Sequence, residues 1–502
     1  MGISGFFQYI KGTYPDACKR KWNINYDILY IDLNHVLHHV CYISEDTDEL
    51  LQKAMEHLRK IIRDVKPKKK VVIVGDSVAP LAKMLLQRKR RICTIYKSEN
   101  LSLQLSSGTK FMTGLDTSLE SFVEYIKKEN KIDVQLLIND IGEGEIKIKY
   151  QIKKNQKQNK TDTHIVFSGD SDMILLLFSC DDLTKIYQII SRDTIINFGK
   201  LYDKHIDIFG STKTTKNDFV FLNLLAGNDY LPKITNSNIE NIWKVYGKIS
   251  KFYEDGLVSC NDMGNDITIN TFFFHDILHL YSKEIKPHLL KDITFTEFND
   301  VMYEDYIKGL YWCFNMYING VCLDYCYLFD HVSKPQLLGV MFNMMLLNKH
   351  TVKKTQSIDI DLYGILLIPC PTNDLLNKEQ KLIAEKLANM YPIIYEESKC
   401  VKCREIHDEI DTIKNNTDYN EQEMLDYLKD IYDEQKIHKR THNILTFDKI
   451  YQISKSFSEI RDELRETHSL DSDNENINTI AKQVVFKTNT QKIIKKMFKT
   501  KT

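Results

Sequence analysis

The sequence predicts an α/β fold with a parallel sheet, followed by a second, mostly helical region. Short apolar runs that end near an acidic residue recur in the first half of the chain, at 28–33, 71–74 and 164–167. Stretches with helical spacing of apolar residues separate these runs. Strand, helix and strand in succession form a parallel crossover unit. With 502 residues and 43% hydrophobic content, the chain is long enough for about two to four domains.

Composition excludes little about function. Lys plus Arg number 68 and Asp plus Glu 69, so any binding site for a polyanion must come from local clustering of charge. The 11 cysteines are scattered and no basic, apolar leader precedes them, so we expect an intracellular protein with reduced thiols. No apolar run approaches the roughly 20 residues needed to cross a bilayer. We therefore expect a soluble protein without a membrane partner.

The first predicted crossover unit places two acids at strand ends. Residues 28–33 read as a strand with Asp32 near its end, and 48–65 as a helix that Pro67 ends. The run 71–74 reads as the next strand. Gly75 and Asp76 close it, so Asp76 is a second acid at the carboxyl end of a predicted strand.

A basic helix is predicted from Pro80 to about residue 92, with proline in its first turn. Lys83, Gln87, Arg90 and Arg91 follow the i, i+4, i+7, i+8 spacing, so their side chains project from one face. The sequence then predicts a helix at 115–129 and a strand at 132–138.

Two more pairs of acids follow. Glu143 and Glu145 lie at a predicted helix start, and the Lys-rich stretch 146–160 reads as a helix that frays into an exposed loop. Asp170 and Asp172 come directly after the apolar run at 164–167. The last acid of the set, Asp229, follows a predicted helix at 218–226.

We predict four regions. An α/β domain occupies 1–235, a linker or insertion 236–300, a helical region 301–465, and a mobile tail, polar and then Lys-rich, 466–502.

The acids are expected to converge, because ligands in open α/β sheets bind outside the carboxyl ends of the strands. Carboxylates this close repel one another and are costly to bury unpaired. Divalent cations would relieve that repulsion, and carboxylates suit Mg²⁺ or Mn²⁺; two such ions about 4 Å apart can activate water and stabilise the leaving oxygen of a phosphodiester. The predicted catalytic and metal-binding set is Asp32, Asp76, Glu143, Glu145, Asp170, Asp172 and Asp229.

Eight short motifs, five of which contain these acids, occur in the order found in the eukaryotic 5′-to-3′ exoribonuclease family (Xrn/Rat type), which the chain resembles. The likeness is close over residues 1 to about 235 and looser from 301 to about 400. The motifs are Gly2–Phe7, Tyr30–Asn34, Gly75–Met84, Gln87–Arg91, Gly108–Met112, Gly142–Glu145, Gly169–Asp172 and Gly227–Pro232.

The resemblance implies a nuclease core of the PIN or flap-nuclease type that binds about two Mg²⁺ (or Mn²⁺) ions. It implies hydrolysis of 5′-monophosphorylated single-stranded RNA to nucleoside 5′-monophosphates in RNA decay, with a decapping enzyme as the source of such ends. We expect a monomer in the cytoplasm, or else in the nucleus. The family's long accessory C-terminal portion has no counterpart here, which favours a minimal form such as a large DNA virus carries.

The resemblance also assigns the substrate contacts. Lys83, Gln87, Arg90 and Arg91 match the family's 5′-phosphate pocket, and arginine forks suit a terminal phosphate. His38 matches the position that stacks on the terminal base, with Trp312 as its partner.

The chain departs from the family at two places. His35 stands where the family usually has glycine, and Cys322–Cys326 replaces a Trp-rich stretch. These departures keep one alternative open, a non-catalytic RNA-binding protein with a degenerate site, although the intact acids argue against it. A flap-endonuclease-like DNase is the other alternative, since that class shares the acidic core.

One cysteine pair has the spacing of metal ligands. Cys400 and Cys403 are followed by His407, but no second Cys pair lies at the right distance. The sequence therefore does not favour zinc there.

Overall fold

The structure is a computed structural model that describes residues 3, 5–96, 100–235, 238–261, 266–284, 300–331, 334–368, 375–396, 400–415, 421–439 and 445–468. The strands are β1 Cys18–Lys19, β2 Ile28–Asp32, β3 Lys70–Val74, β4 Asp133–Leu137, β5 His164–Phe167, β6 Ile186–Ser191, β7 Thr194–Asn197, β8 Val258–Cys260, β9 Asp266–Ile269 and β10 Lys349–Thr351.

The helices account for most of the remaining described residues. They are α1 Phe6–Thr13, α2 Leu33–Cys41, α3 Thr47–Val65, α4 Leu81–Tyr96, α5 Asn100–Leu103, α6 Lys110–Thr113, α7 Leu115–Asn130, α8 Gly144–Gln158, α9 Asp172–Phe178, α10 Phe198–Phe209, α11 Thr215–Leu224, α12 Ile239–Ile249, α13 Thr271–Glu284, α14 Asp300–Asn319, α15 Leu337–Leu346, α16 Ile360–Leu367, α17 Lys378–Met390, α18 Val401–Asn415, α19 Glu421–Lys439 and α20 Phe447–His468. None of these helices, within the part of the chain described, could cross a membrane.

A seven-stranded sheet has the order β1-β7-β6-β5-β2-β3-β4. Its central five strands, from β6 to β4, are parallel, and β7 and β1 add antiparallel pairs at one edge. The predicted α/β fold with a parallel sheet is confirmed. The chain leaves β2 toward β3 and β4, and later adds β5 and β6 on the other side of β2, so the strand order reverses beside β2. That reversal marks the crevice where such sheets bind ligands.

The central strands are apolar because both faces of the sheet are covered. Leu29, Tyr30 and Ile31 of β2 are fully buried, as are Val71 and Ile73 of β3. The central strands therefore show no alternation of polar and apolar residues. The length of each apolar run, and not its periodicity, is what predicts these strands from the sequence.

The chain forms two compact units that do not follow the predicted domain boundaries. One consists of Met1–Val36, Glu56–Lys83 and Val123–Ser357, and contains the seven-stranded sheet. The other consists of Leu37–Met55, Met84–Phe122 and Ile358–Thr502. We call them the sheet unit and the helical unit.

The segment predicted as a linker or insertion, 236–300, contains regular structure in the sheet unit. It contributes α12, β8, β9 and α13. Trp243 and Tyr246 of α12 are fully buried, and Trp243 packs edge-on against His205 with ring centroids 4.7 Å apart. Residues 285–299 of this segment lie outside the described residues, as does the predicted tail from 469 onward.

The stretch 146–160, predicted as a helix that frays into an exposed loop, forms α8 as far as Gln158, and residues 157–160 are exposed. Near the start of the helix, Lys147 and Lys149 are buried. Lys147 donates through Nζ to the carbonyl oxygen of Asp140 at 2.8 Å, and Lys149 through Nζ to Sγ of Cys180 at 3.4 Å. Burial lowers the pKa of Lys147 to about 8. The long apolar stems of these lysines pack in the interior, as do the isoleucines at 146, 148 and 152.

The helical unit contains a close backbone contact that explains a glycine of the Gly108–Met112 motif. Gly108 has φ +83°, and a Cβ there would lie 2.6 Å from the Cα of Gly364 and from the carbonyl oxygen of Ile360. Buried Arg88 donates to the carbonyl oxygens of Leu366 and Ile394 in the same unit.

Candidate active site

Three of the predicted acids lie at the carboxyl ends of adjacent parallel strands. Asp32 is the last residue of β2, Asp76 follows β3 by two residues, and Asp170 follows β5 by three. Because β5, β2 and β3 are neighbours in the sheet, their ends bring these acids to one edge. Asp32 accepts hydrogen bonds from the amide of His35 at 3.1 Å and from Oγ of Ser168 at 2.9 Å.

The start of α8 adds the glutamate pair to this edge. Glu143 is the N-cap residue of α8 and Glu145 lies in its first turn; both are buried. The amide of Gly144, between them, donates to Oδ1 of Asp76 at 2.6 Å. A Cβ on Gly144 would lie 3.1 Å from that same oxygen, so glycine allows the helix start to approach the Asp76 carboxylate closely.

Asp172 opens α9 and is almost completely buried. Its Oδ1 accepts from the backbone amide of Ile3 at 2.8 Å, and its Oδ2 from the hydroxyl of Tyr317 at 3.3 Å. The amide of Asp172 in turn donates to Oδ1 of Asp170 at 3.0 Å. The two acids of this turn are therefore tied to each other and to distant parts of the sheet unit.

A buried lysine lies among the acids. Nζ of Lys83 is 2.7 Å from Oδ2 of Asp229 and 3.1 Å from Oε1 of Glu143. The other carboxylate oxygen of Glu143, Oε2, accepts a hydrogen bond from the hydroxyl of Tyr230. Lys83, predicted from the family to bind the 5′-phosphate, is thus paired with two of the predicted metal ligands in this structure.

The site carries excess negative charge that raises several pKa values. Burial, then the neighbouring Asp76, raises the pKa of Asp32 to about 7. Burial and Asp170 likewise raise the pKa of Asp172 to about 7. Burial also raises the pKa of Glu143, and burial together with Asp170 raises that of Glu145 well above its usual range.

The pKa of Lys83 is raised as well, but here burial opposes the shift and the neighbouring acids cause it. Burial by itself lowers the pKa of a lysine, but Glu143, Glu145 and Asp229 together raise that of Lys83 well above its usual range. Lys83 therefore remains charged at neutral pH. One ammonium does not balance the seven carboxylates, which is the condition that a bound cation relieves.

The donor set fits hard divalent cations. All seven side chains offer carboxylate oxygens, the ligands that Mg²⁺ and Mn²⁺ prefer. Among the described residues, no three of them place one oxygen each within 4.8 Å of one another. The structure thus gathers the acids at one edge without forming a complete coordination sphere.

The four residues of the predicted phosphate pocket lie on a single helix. Lys83, Gln87, Arg90 and Arg91 all lie on α4, but only Lys83 belongs to the sheet unit. In the helical unit, Oε1 of Gln87 accepts from the hydroxyl of Tyr363 at 2.8 Å. That hydrogen bond fixes the orientation of the Gln87 amide. Binding of a phosphate by these four residues stays a prediction.

The two predicted stacking residues lie in different environments. His38 is half-buried on α2 and belongs to the helical unit. Trp312 is only 2% exposed in the core of the sheet unit, between Tyr230 at 5.4 Å and Tyr327 at 4.6 Å from ring centroid to ring centroid. Its ring offers no free face for a base in this conformation, so the structure does not support stacking by Trp312.

His35, the departure from the family pattern, lies directly against the opening glycine of the Gly169–Asp172 motif. A Cβ on Gly169 would lie 2.5 Å from Cε1 of His35, and the imidazole also packs on Phe167 with centroids 5.6 Å apart. The bulk of His35 is thus accommodated because residue 169 has no side chain.

Four supporting residues were missed by the sequence reasoning. Tyr230 and Tyr317 hold Glu143 and Asp172, and Ser168 holds Asp32. The side chain of Asn34 accepts from the amide of Asp76 at 2.8 Å. Asn34 and Tyr230 lie inside quoted motifs and could have been assigned such roles; Tyr317, which lies 145 residues from Asp172 in the sequence, carried no local signal.

The sheet and its acidic edge define an α/β protein of the nuclease class. Residues 1–104 and 95–188 match a family model described as the XRN 5′-3′ exonuclease N-terminus. The N-terminal region of the chain is therefore similar to the 5′-3′ exoribonuclease family, the resemblance that the motifs predicted.

Similar proteins carry the same family name. The 5′-3′ exoribonuclease 1 of Saccharomyces cerevisiae is 30% identical over 212 residues, which is 35% of this chain and 14% of the relative. Its namesake in Schizosaccharomyces pombe is 25% identical over 316 residues, or 50% of this chain and 24% of the relative. The human 5′-3′ exoribonuclease 1 is 24% identical over 48% of this chain and 18% of its own length. The matched part thus spans less than a quarter of each relative.

Among solved structures, the catalytic core of Rad2 in complex with DNA substrate aligns with 69% of this chain and 94% of its own. The TM-score is 0.34 and the sequence identity 14%. The fold assignment rests on the sheet itself and gains nothing from a likeness at that level.

Proposed function

We propose that this chain is a divalent-cation-dependent 5′-to-3′ exoribonuclease that hydrolyses 5′-monophosphorylated single-stranded RNA to nucleoside 5′-monophosphates. The observation that carries the proposal is the convergence of carboxylates from the ends of three adjacent parallel strands and from the start of α8. The family match over residues 1–188 supports the same activity.

The acidic edge is the proposed place of reaction. Asp32, Asp76, Glu143, Glu145, Asp170, Asp172 and Asp229 would hold the cations. Bound Mg²⁺ supplies Lewis-acid polarisation of the phosphate and activation of water. Burial of these carboxylates restricts water around them and strengthens their hold on a cation.

The residues around the acids fix carboxylate orientation. Tyr230 and Tyr317 donate to one oxygen of Glu143 and of Asp172, which leaves the remaining lone pairs for other partners. Lys83 brings a permanent positive charge to the same site. A charged ammonium paired with carboxylates can exchange partners with an incoming phosphate, which is a role consistent with its predicted place in the phosphate pocket.

Substitution of Asp172 tests the assignment. Asp172→Asn keeps an oxygen that can accept from the amide of Ile3 but removes the negative charge, so hydrolysis of 5′-monophosphorylated RNA in Mg²⁺ should fall by at least about 100-fold. Binding of the same RNA, measured by fluorescence anisotropy, should persist. Asp193→Asn is the matched control, because Asp193 is an exposed acid paired with Arg20.

Product analysis separates the competing hypotheses. With RNA and Mg²⁺, the products should be mononucleotides. No product should form in EDTA, and little product should form from single-stranded DNA or flap substrates. Oligonucleotide products from a DNA flap would instead support an endonuclease. Wild-type activity of Asp172→Asn would refute the metal-ligand assignment.

Substitutions on α4 test how the protein would recognise the 5′-monophosphate of its RNA substrate. Arg90→Ala removes a predicted charge-assisted contact of about 1.5–3 kcal/mol, so the preference for 5′-monophosphate over 5′-hydroxyl RNA should fall about 10- to 100-fold. Lys89→Ala, an exposed neighbour on the same helix, should leave the ratio unchanged. An unchanged ratio in Arg90→Ala would remove Arg90 from the pocket.

A further inference from the structure

Two cysteines and a histidine of the helical unit form a cluster that the proposed nuclease chemistry does not use. Sγ of Cys400, Sγ of Cys403 and a ring nitrogen of His438 all lie within 4.8 Å of one another. Sγ of Cys400 is 3.2 Å from Nε2 of His438. Neither cysteine forms a disulfide, and Cys403 is buried.

The cluster lies at the open end of a helical hairpin. Cys400 directly precedes α18 and Cys403 lies in its first turn, whereas His438 is the second-last residue of α19. Because the start of α18 lies beside the end of α19, the two helices are antiparallel. An ion pair at the same end, 2.7 Å from Nζ of Lys402 to Oε1 of Glu434, confirms this pairing of the helices.

The separations suit a tetrahedral metal. Zinc binds sulfur at about 2.3 Å and imidazole nitrogen at about 2.0 Å, which places the two ligand atoms about 3.5 Å apart in a tetrahedron. The observed 3.2 Å between Cys400 and His438 is close to that separation. Two thiolates and an imidazole are a soft donor set typical of zinc and unsuited to Mg²⁺.

A small apolar cluster joins the two helices of the hairpin. Among the described residues it is separate from the main core and consists of Ile406, Ile410, Leu428 and Ile431, with Ile413 and Met424 packed on them. Small cores of this kind gain much of their stability when a cross-link or a metal is added.

We propose that Cys400, Cys403 and His438 bind one zinc ion that joins α18 to α19 and stabilises the hairpin. The histidine suggested by sequence spacing, His407, is not part of the cluster; its Nδ1 lies 3.7 Å from Oδ2 of Asp411 on the same helix. The fold supplies His438 instead, 35 residues beyond Cys403.

Metal content of the full-length, untagged protein tests the proposal. Elemental analysis should find about one zinc per chain that survives dialysis against Mg²⁺. A mercurial that attacks thiolates should release that zinc, whereas metal held by carboxylates would not respond. Protein reloaded with Co²⁺ should show the visible absorption of a tetrahedral site and a sulfur-to-cobalt charge-transfer band.

Substitutions locate the ion. Cys400→Ser, Cys403→Ser and His438→Asn should each lose most of the mercurial-released zinc. His407→Asn on the same helix and Cys326→Ser in the sheet unit should retain it. In zinc-free wild-type protein, protection from hydrogen exchange should be lost only at amides of α18 and α19, and the parallel sheet should stay protected. A variant that simply fails to fold would lose protection in the sheet as well, and the same measurement would recognise it.

The outcomes are decisive. Zinc retained by all three variants, or no zinc uptake by the reduced wild-type protein in competition with a chromophoric chelator, would overturn the proposal. So would a Co²⁺ spectrum without sulfur charge transfer. Nuclease activity enters none of these measurements, so their result is independent of the proposed function.

Discussion

Lys83 is predicted to hold the acidic edge together when no cation is bound. At an effective dielectric constant of about 20, its separations of 2.7 Å from Asp229 and 3.1 Å from Glu143 correspond to gross attractions of about 6 and 5 kcal/mol. Desolvation of three buried charges offsets much of that sum. Breaking buried pairs by removing one partner typically costs about 3–5 kcal/mol, because the charges left behind are uncompensated. In EDTA, Lys83→Met should therefore lower the free energy of unfolding by about 3–5 kcal/mol.

Added Mg²⁺ distinguishes charge compensation from packing. A divalent cation would replace the missing positive charge, so the loss in unfolding free energy caused by Lys83→Met should be clearly smaller in Mg²⁺ than in EDTA. Urea unfolding with unchanged m-values is the assay. Lys89→Met, exposed on the same helix, should stay within about 0.5 kcal/mol of wild type in both buffers. An equal loss with and without Mg²⁺ would show that Lys83 acts through packing and refute the reasoning.

Acid should act on the sheet unit through two buried histidines, because burial lowers the pKa of His205 to about 3 and that of His164 to about 4. Both depressed values favour the neutral imidazole in the fold, so between pH 7.5 and 5 each histidine should cost about 2 kcal/mol of unfolding free energy. The raised pKa values of Asp32 and Asp172 act with the opposite sign over the same range, so the measurement is the difference between variant and wild type in urea unfolding. Relative to wild type, His205→Gln should be about 2 kcal/mol more stable at pH 5 than at pH 7.5; a difference that does not change with pH would contradict the assignment. Gly108→Ala should destabilise the protein by about 2–4 kcal/mol, since the new Cβ meets the backbone of Gly364 at positive φ. The control Gly12→Ala, in α1 with no atom within 4 Å of the new Cβ, should gain about 0.5–1 kcal/mol in thermal or urea unfolding; a harmless Gly108→Ala would mean that the contact relaxes.

The parallel core was predictable because its signals are local. Apolar runs of strand length, each followed by glycine or an acid, identify buried strands, and the rule that ligands bind at their carboxyl ends places Asp32, Asp76 and Asp170 together. Glu143 and Glu145 were predictable for a similar reason, because an acidic helix start is a local pattern.

The rest of the site depends on long-range packing that spacing does not encode. Helical spacing predicted that Lys83 shares one face of α4 with Gln87, Arg90 and Arg91. It did not predict that Lys83 pairs with Asp229, which lies 146 residues later in the sequence. The burial of Trp312 and the approach of His438 to Cys400 arise in the same way, from how helices pack. The burial of Lys149 on α8 is a further example, because a Lys-rich sequence does not indicate which lysine stems pack in the interior.

The hydrogen bond from Ile3 to Asp172 has a practical consequence for handling the protein. The amide of Ile3 comes within 2.8 Å of a carboxylate oxygen of the proposed catalytic set, so Ile3 acts as a structural part of the proposed active site. Comparing recombinant protein with an affinity tag at either terminus would therefore report whether that contact limits turnover.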